Sequence, residues 1–456
     1  MFRFRRQVYL DNHATTSVAR NVRKKMDAVL ADCFGNPSSP YRLARNAAAV
    51  LEDARQVVAR AVGALPEEII FTGSASEANN QVLKSFLSGG GERRKKIVST
   101  PIEHSSVMAA LAHVQREKLD VVFCPVAGDG RLDFQALGKI PVDVQALGVD
   151  YATFSAHKIH GPKGVGALYA KRGSLLHPLI HGGHQENGLR AGTEGLHNIA
   201  GFAEACRNIP AMLARAEMVA QLRDRFVRET IALHPGICSH SIATDCLPNT
   251  ASLTFPGFDN AELLAYLDYH GIGASAGSAC NTEDNAPSHV LTAIGLTAEQ
   301  ARQTLRFSLS TQTRPGEIRY TVAVLSDYLQ RRKLPVTLVS PAQLDENMLF
   351  SDSLFVIDIR NEYDRKFLKG LPNSRETSKK ALKGALHAIP RNKNVLIVCQ
   401  AGMDAPMMAY FLRSKGIRNV GFLMGGMLAW KLFQPALYKK FGDMNITPLE
   451  QNSATP

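Results

Sequence analysis

The alternation of short apolar runs with helically periodic stretches constrains the fold of this chain most strongly. From residues 8 to 328 such runs alternate, as where the strand-like run 67–72 precedes the helical stretch 75–87. Because parallel strands need long crossover connections, usually helices, this order predicts an α/β architecture with a mainly parallel sheet. A second, smaller α/β unit follows, with buried-type strands at 354–358 and 394–398.

The change between the two units comes at a polar segment flanked by Pro335 and Pro341. At roughly 100 to 200 residues per domain, a chain of 456 residues has room for both. The predicted divisions are a first unit at 1–333, a linker at 334–350, a second unit at 351–435 and a tail at 436–456.

Charge and hydropathy exclude several classes of protein. The 53 Lys and Arg exceed the 41 Asp and Glu by 12, but the basic runs at 93–96 and 331–333 lack interleaved aromatic residues. We therefore interpret them as solvated faces, not as a nucleic-acid groove. No apolar stretch approaches the roughly 20 residues of a membrane span. Seven cysteines without a CxxC pair indicate a reducing, cytoplasmic setting, and no metal site is predicted.

The densest chemistry lies where a predicted strand gives way to a Gly/Pro-rich turn. Ser155, His157 and Lys158 stand there together. Hydroxyl and imidazole groups at this point can hold a phosphate while the lysine amine reaches a neighbouring carbonyl carbon, as a pyridoxal phosphate Schiff base requires. The small-residue turn at 71–77 opens a helix, whose free N–H groups favour an anion. Either motif alone is also compatible with an ordinary polar loop.

A second reactive centre is predicted near Cys280. The run of small residues at 273–279 before this thiol indicates an exposed, flexible loop, in which a cysteine can act as a nucleophile. Arg306 lies in a short strand-like run at 305–308. Its planar guanidinium suits a substrate carboxylate, and a structural salt bridge is the alternative.

Several separate stretches match one family. They are 9–16, 35–39, 103–106, the lysine segment 155–164, 182–193 and the Cys280 loop with 287–289. Through them the first unit resembles a cysteine desulfurase of the fold-type I, aminotransferase class V family, in the group with a mobile thiol-bearing arm. The resemblance implies a mainly parallel sheet with a small C-terminal α/β lobe, pyridoxal 5'-phosphate as cofactor, L-cysteine as substrate and a homodimer.

The resemblance also implies the role of each matching residue. Lys158 would carry the cofactor aldimine and take the Cα proton, and His104 would stack on the pyridine ring. Asn36 and Arg306 would hold the substrate carboxylate. Cys280 would attack the substrate sulfur as a thiolate, become a persulfide and release L-alanine. The residues implied to contact the phosphate are Ala75, Ser76, Ser155, His157 and, across the dimer interface, Thr193.

One stretch that family members usually carry is missing after about Leu137. The gap is on the order of 50 residues, or one to two strand–helix units of about 30 residues each. It removes the family's aspartate, which keeps the pyridine nitrogen protonated. Gln135 is predicted to match the family's cofactor-binding glutamine, and Asp133 then stands one position out of register, on the opposite face of a strand. Loss of central strands would also break the sheet.

The second unit resembles a single rhodanese domain through the stretches 358–363, 398–405 and 424–430. The resemblance implies that Cys399 carries a persulfide, and a thiol at a helix N-terminus gains thiolate character. Asp404 stands where an arginine is usual, so transfer from a protein persulfide is favoured over an anionic donor such as thiosulfate. An idle cysteine in a rhodanese fold is the alternative.

These observations lead to three hypotheses. The first is a fused enzyme that moves sulfur from cysteine through Cys280 to Cys399 or to sulfur-acceptor proteins of iron–sulfur, cofactor or tRNA-thiolation pathways. The second, based on the missing segment, is a catalytically impaired chain that acts as a sulfur carrier or binding partner through its rhodanese unit. The third is a cysteine-independent aminotransferase or lyase, and the Cys280 loop argues against it.

Overall fold

The computed structural model describes residues 7–88, 96–124, 139–241, 246–276, 287–331, 336–402 and 404–449. Cys280, Gln135 and Asp133 lie outside these ranges, so the predictions made for them are not addressed by the structure. Among the described residues, no helix has both the length and the apolar character needed to cross a bilayer.

The N-terminal region contains short strands and longer helices in the predicted alternating order. Its strands are β1 (Val8–Tyr9), β2 (Ile69–Thr72), β3 (Lys96–Ser99), β4 (Asp120–Phe123), β5 (Tyr151–Ser155) and β6 (Gly166–Ala170). Its helices are α1 (Arg20–Asp32), α2 (Arg42–Val62), α3 (Ala75–Ser88), α4 (Ser105–Arg116), α5 (Val144–Leu147), α6 (Leu196–Arg207) and α7 (Ile209–Leu213). The strand expected at 67–72 is shorter, because a 3₁₀ turn occupies Pro66–Glu68.

A smaller lobe follows. Its helices are α8 (Ala216–Ile231), α9 (Asn260–Tyr269), α10 (His289–Ala293), α11 (Ala298–Arg302) and α12 (Pro315–Arg331), and its strands are β7 (Cys238–Ser239), β8 (Thr250–Thr254), β9 (Ile272–Gly273) and β10 (Thr304–Ser308). Strand β1 pairs with β9 in parallel, so the start of the chain belongs to this lobe. The lobe core includes Leu10, Phe226, Phe255 and Phe307, all fully buried.

The C-terminal region is a complete α/β layer. Its strands are β11 (Thr337–Val339), β12 (Leu354–Asp358), β13 (Arg375–Glu376), β14 (Asn394–Val398), β15 (Val420–Leu423) and β16 (Thr447–Pro448). Its helices are α13 (Glu346–Leu349), α14 (Glu362–Phe367), α15 (Lys379–Leu382), α16 (Ala405–Ser414), α17 (Gly426–Phe433) and α18 (Pro435–Phe441).

These six strands form one parallel sheet in the order β11-β15-β14-β12-β13-β16. Side chains alternate between its faces, so Ile397 lies in one apolar core while Leu396 and Val398 lie in the other. Both faces of the sheet are therefore covered.

Two predicted boundaries of this region are wrong. The expected linker 334–350 contributes β11, which pairs with β15, and the expected tail from 436 contributes most of α18 and also β16, which pairs with β13. Leu449, in the supposed tail, is 2% exposed. Strands of two or three residues are too short to show an alternating pattern, and their place depends on a distant partner strand.

The N-terminal region does not contain one continuous sheet within the described part of the chain. Strands β2, β6 and β5 form a three-stranded sheet in which β6 is antiparallel to both neighbours, while β3 and β4 form a separate parallel pair. The α/β prediction is confirmed, but the sheet is divided. Val98 of β3 is 61% exposed and Phe123 of β4 is 40% exposed, as expected where covering strands are missing.

Candidate active site

Lys158 stands at the end of a 3₁₀ turn that directly follows β5. Its Nζ donates hydrogen bonds to the carbonyl of Ala14, at 3.2 Å, and to the carbonyl of His13. The side chain is half-buried. The lysine is thus held where the end of β5 meets the loop that follows β1.

The predicted anion-binding turn lies beside this lysine. The main-chain N–H of Ala75, the first residue of α3, donates to Ser155 Oγ at 3.2 Å. This close approach depends on Gly166 of β6, because a Cβ there would lie 2.8 Å from the carbonyl carbon of Ser74 and 2.9 Å from the Ala75 nitrogen. The N-terminus of α3 and the Ser155 hydroxyl therefore face one point, where an anion finds N–H and O–H donors. Ser76 lies on the exposed side of the same turn.

His157 presents a neutral ring to this site. Its Nδ1 lies 3.1 Å from Thr15 Oγ1. Burial, together with the charges of Lys158 and Lys163, lowers the pKa of His157 to about 4. At neutral pH the imidazole is therefore uncharged and can donate one hydrogen bond while accepting another.

His104 is oriented by a chain of hydrogen bonds that starts in β5. Thr153 Oγ1 donates to Asn79 Oδ1 at 2.9 Å, and Asn79 Nδ2 donates to Ser106 Oγ at 2.9 Å. Ser106 Oγ lies 2.8 Å from His104 Nδ1, which also accepts the Ser106 main-chain hydrogen at 3.1 Å. Because Nδ1 is an acceptor, the ring proton of the neutral imidazole lies on Nε2.

The charge of Lys158 reaches this histidine. The pKa of His104 is lowered, first by limited hydration and then by Lys158 and His289. The charge of Lys158 therefore acts on the His104 ring, and the role of His104 toward the cofactor stays a prediction. The sequence analysis did not predict the hydrogen-bond chain through Asn79 and Ser106. The polar residues of the stretch 103–106 were the only signal for it.

Arg306 connects the site to the base of the Cys280 segment. Its guanidinium Nη2 lies 3.4 Å from Asp11 Oδ1, and its main-chain N–H and carbonyl pair with Ser275 at 2.7 and 3.1 Å. Burial raises the pKa of Asp11, while Arg306 and Lys158 lower it. Arg306, Asp11 and Lys158 therefore share one electrostatic environment, and Asp11 is a residue that the sequence analysis did not single out.

Two predicted residues lie in loops away from these contacts. Asn36 Oδ1 accepts the main-chain hydrogen of Ser38 at 3.0 Å in the turn between α1 and α2. Thr193 is exposed on a loop in which the Gly192 N–H donates to Gln185 Oε1 at 3.1 Å. Their roles toward the substrate carboxylate and a partner subunit stay predictions.

Cys399 lies at the end of β14, at the bottom of a glycine-lined loop, and is 3% exposed. Its Sγ accepts the main-chain hydrogen of Ala405, the first residue of α16, at 3.3 Å. Gly426 has a φ of +63°, and a Cβ there would lie 2.4 Å from the Cys399 carbonyl oxygen. Only a glycine allows this approach.

The expected thiolate character of Cys399 is opposed by its surroundings. Burial raises the pKa of this thiol, and the N–H groups of Ala405, Asp404 and Gly402 only partly offset that effect. The Asp404 carboxylate raises the pKa further and is itself 2.8 Å from Lys379 Nζ. The amides do point at the sulfur, but burial outweighs them.

Comparison with known proteins decides the family. The aminotransferase class-V family model matches residues 8–137 and 133–320, and the rhodanese-like domain model matches 340–432. The cysteine desulfurase IscS of Dictyoglomus turgidum is 33% identical over 376 residues, covering 72% of this chain and 95% of that protein. The chain belongs to the cysteine desulfurases. A cysteine desulfurase of Klebsiella pneumoniae is 34% identical over 375 residues, covering 72% of this chain and 94% of its own length.

Solved structures agree with this assignment. A NifS-like protein has a TM-score of 0.66 at 30% identity, with 71% of this chain and all of that chain covered. A structure described as SspA in complex with cysteine has a TM-score of 0.58 at 29% identity, with 67% and 99% covered. This desulfurase therefore has the fold of the NifS-like enzymes, followed by a rhodanese-like domain.

The comparisons also agree with a missing internal segment. The family model matches in two pieces that meet at residues 133–137. The match to the Dictyoglomus protein extends over 376 residues, whereas 72% of 456 residues is about 328, so about 48 positions have no counterpart in this chain. The break falls between β4 and β5, which belong to the two separate sheets.

Desulfurases of this family use pyridoxal 5'-phosphate. The described residues fit part of that cofactor. The Ala75 N–H and the hydroxyl of Ser155 suit its phosphate, and the Lys158 amine lies beside them across one turn. A carboxylate for the ring nitrogen is expected on the missing strands. No cluster of three or more metal-ligating side chains is found among the described residues.

Proposed function

We propose that this desulfurase transfers sulfur from L-cysteine to Cys280, releases L-alanine, and passes the sulfur to Cys399 or to a sulfur-acceptor protein. The observation that supports the proposal is that the charge of Lys158 acts on His104, His157 and Asp11, and that Asp11 forms an ion pair with Arg306. The cofactor, when bound, supplies an electron sink for the Cα of the substrate. The chain would act as a homodimer in the cytoplasm, with Thr193 at the interface.

The residues of the chain would divide the remaining tasks. Arg306 would exchange part of its contact with Asp11 for the substrate carboxylate. The Lys158 amine would move the Cα proton, and His104, with its proton on Nε2, can donate a hydrogen at the same site. The Cys280 thiolate would attack the substrate sulfur, so that the Cβ–S bond breaks and an S–S bond forms. No external oxidant is needed, because the carbon side keeps the electron pair of the broken Cβ–S bond and gains a proton, so carbon is reduced as the sulfur is oxidised.

The bridge between Ser275 and Arg306 supports the role of Cys280. It holds Ser275, which precedes Cys280 by five residues in the chain, beside Arg306, the candidate for binding the substrate carboxylate. The likeness to cysteine desulfurases is the second support.

Purified chain loaded with pyridoxal phosphate and given L-cysteine plus a reductant tests the proposal. We expect L-alanine and sulfide in equal amounts, and loss of both in Cys280→Ala. Cys238→Ala is the matched control, since Cys238 is an exposed thiol on β7. Normal turnover in Cys280→Ala would contradict the proposal.

A second candidate function is favoured by the divided sheet. A chain that lacks the strands between β5 and β3 would bind the cofactor poorly and serve as a sulfur carrier through the rhodanese-like domain. The protein-bound absorption of pyridoxal phosphate separates the two functions. A band that is strong in the wild type and lost in Lys158→Ala excludes the carrier, and absence of the band supports it.

A further inference from the structure

The rhodanese-like domain contacts the desulfurase lobe through one pair of helices. Tyr410 of α16 donates its hydroxyl hydrogen toward Glu262 of α9, with 3.2 Å to the carbonyl oxygen and 3.4 Å to Oε1. The Tyr410 ring meets the ring of Tyr266 edge-on at a centroid distance of 5.1 Å. Tyr266 in turn packs against Tyr328 at 5.1 Å. Tyr410 is thus inserted into the aromatic edge of the lobe core.

Helices α9 and α16 pack against each other, and the charge of Asp404, which precedes α16, acts on the last turn of α9. The pKa of Asp268 is raised, first by limited hydration and then by the carboxylate of Asp404. Tyr410 follows Asp404 by six residues and Glu262 precedes Asp268 by six, so the two helices run side by side in opposite directions.

The position of Cys399 follows from this geometry. The N-terminal residue of α16, Ala405, holds the Cys399 sulfur through its main-chain N–H at 3.3 Å. The helix that contacts the lobe therefore also binds the Cys399 sulfur through the N–H of its first residue. On the other side, α9 continues into β9 and then to Ser275, which pairs with Arg306 at the candidate active site.

We propose that the α9–α16 contact is a docking surface that presents the Cys399 loop to the desulfurase lobe of the same molecule, so that Cys399 receives sulfur from a protein persulfide and not from a small free anion. This inference rests on the proposed function. The charges agree with it, because the Asp404 carboxylate precedes α16 close to the Cys399 loop and acts on the nearby carboxylate of Asp268, while Lys379 pairs with Asp404. A dianion such as thiosulfate is disfavoured there.

The transfer step is balanced without any co-reactant. The Cys399 thiolate attacks the outer sulfur of the donor persulfide, and a new S–S bond forms on Cys399. The S–S bond of the donor breaks, and its electron pair leaves with the donor thiolate. Fixed docking keeps the acceptor at high effective concentration, so the rate should not depend on protein concentration.

The test compares Tyr410→Ala and the milder Tyr410→Phe with the wild type in the full chain loaded with pyridoxal phosphate. After one addition of L-cysteine, alanine is quantified and persulfide on the Cys399 peptide is followed by mass spectrometry. We expect alanine formation within twofold of the wild type in both variants. Loading of Cys399 should slow at least tenfold in Tyr410→Ala and become dependent on protein concentration. Tyr363→Ala, which removes a 69% exposed tyrosine of α14, is the matched control.

If Tyr410→Ala loads persulfide on Cys399 at the wild-type rate at every protein concentration, the proposed docking surface is wrong. The proposed function is unaffected by that result. Absence of alanine in the wild type would instead contradict the proposed function. In that case hydrogen exchange still tests whether α16 docks on α9. Tyr410→Ala and Tyr410→Phe should both raise the amide exchange rate of the α9 peptide, and Tyr363→Ala should not. Unchanged exchange in both Tyr410 variants would overturn the proposal.

A separate measurement tests whether the sulfur donor of Cys399 is a protein persulfide or a small anion. With thiosulfate and cyanide, the wild-type chain should form thiocyanate at least tenfold more slowly than it loads Cys399 from cysteine. Asp404→Arg should raise thiocyanate formation at least tenfold, because the cation replaces a repelling carboxylate. Rapid use of thiosulfate by the wild type would contradict the assignment of a protein donor.

Discussion

The parallel sheet of the rhodanese-like domain and the divided sheet of the desulfurase region are built from similar sequence patterns but differ in continuity. In the first, β14 and β12 each have a partner on both edges, and Leu396 and Ile397 are at most 1% exposed on opposite faces. In the second, within the described residues, β5 pairs only with β6 and β3 only with β4. Val98 is left 61% exposed.

The difference shows which parts of a site depend on a continuous sheet. The anion-binding turn and the lysine segment are held by short-range contacts such as that between Ala75 and Ser155, so both remain formed. A group that the missing strands would carry depends on those strands for its position. Side-chain hydrogen bonds through Asn79 of α3 connect β5 to α4, the helix that lies between β3 and β4 in the chain.

The largest expected effect comes from restoring continuity. Inserting the roughly 50-residue segment of the Dictyoglomus protein after Leu137 should supply the ring-nitrogen carboxylate and join the two sheets. We expect tighter binding of pyridoxal phosphate, and a rise of at least about tenfold in the rate of alanine formation, equivalent to about 1.4 kcal/mol. A Gly/Ser insertion of equal length is the control. Equal activity of both insertions would show that continuity does not matter.

The next effect concerns the intact sheet. Asp358 and Arg360 form a buried ion pair at 2.7 Å, with side chains 0% and 1% exposed. Arg360→Met leaves the carboxylate buried and unpaired, so we expect a loss of about 3–5 kcal/mol in the free energy of unfolding of this domain, measured by urea denaturation.

The divided sheet provides the matching control. Lys96 and Asp120 form an ion pair at 3.4 Å across β3 and β4, but both side chains are more than half exposed. Lys96→Met should change the free energy of unfolding by no more than about 1 kcal/mol. Similar losses in Lys96→Met and Arg360→Met would remove the contrast between the two regions.

A smaller effect should appear on acidification. The pKa of His157 is lowered to about 4, below its unfolded value of about 6.5. A group with a lowered folded pKa contributes stability above about pH 6.5, and this contribution is lost as the pH falls toward 4. Because His157 is only half-buried, we expect a loss of about 1–2 kcal/mol in the desulfurase region. Differential scanning calorimetry from pH 7 to 4 measures it, and His157→Asn should flatten the profile. An unchanged slope in that variant would refute the assignment.

The smallest expected effect comes from breaking the hydrogen-bond chain that connects β5 to α4. Asn79→Ala breaks the hydrogen-bond chain from Thr153 to Ser106. A hydrogen bond contributes about 0.5–1.5 kcal/mol, so kcat/KM for cysteine should fall about two- to tenfold as His104 loses its support. Asn80→Ala is the control, since the Asn80 side chain bonds only to Ser76 of its own helix, at 3.0 Å, among the hydrogen bonds described. Equal losses in both variants would argue against a role for the chain in positioning His104.

Prediction from the sequence succeeded where the chemistry depends on neighbours along the chain. Ser155, His157 and Lys158 occupy one turn, and the alternation of apolar runs indicated both α/β units. It failed for β11 and β16, because edge strands of two or three residues carry no periodic signal. The raised pKa of the Cys399 thiol could not be predicted from the sequence either, because burial of that sulfur is a property of the folded domain.

The sequence by itself determined the family and the two α/β units, and it predicted the reactive lysine and thiols, because turns, helix starts and residue types are local properties. Tertiary structure alone decided the rest. Asn79 meets Ser106 across 27 residues of chain, and Tyr410 meets Glu262 across 148. Contacts over such separations form only when whole elements pack, and packing of the entire core, not any local pattern, selects which side chains meet.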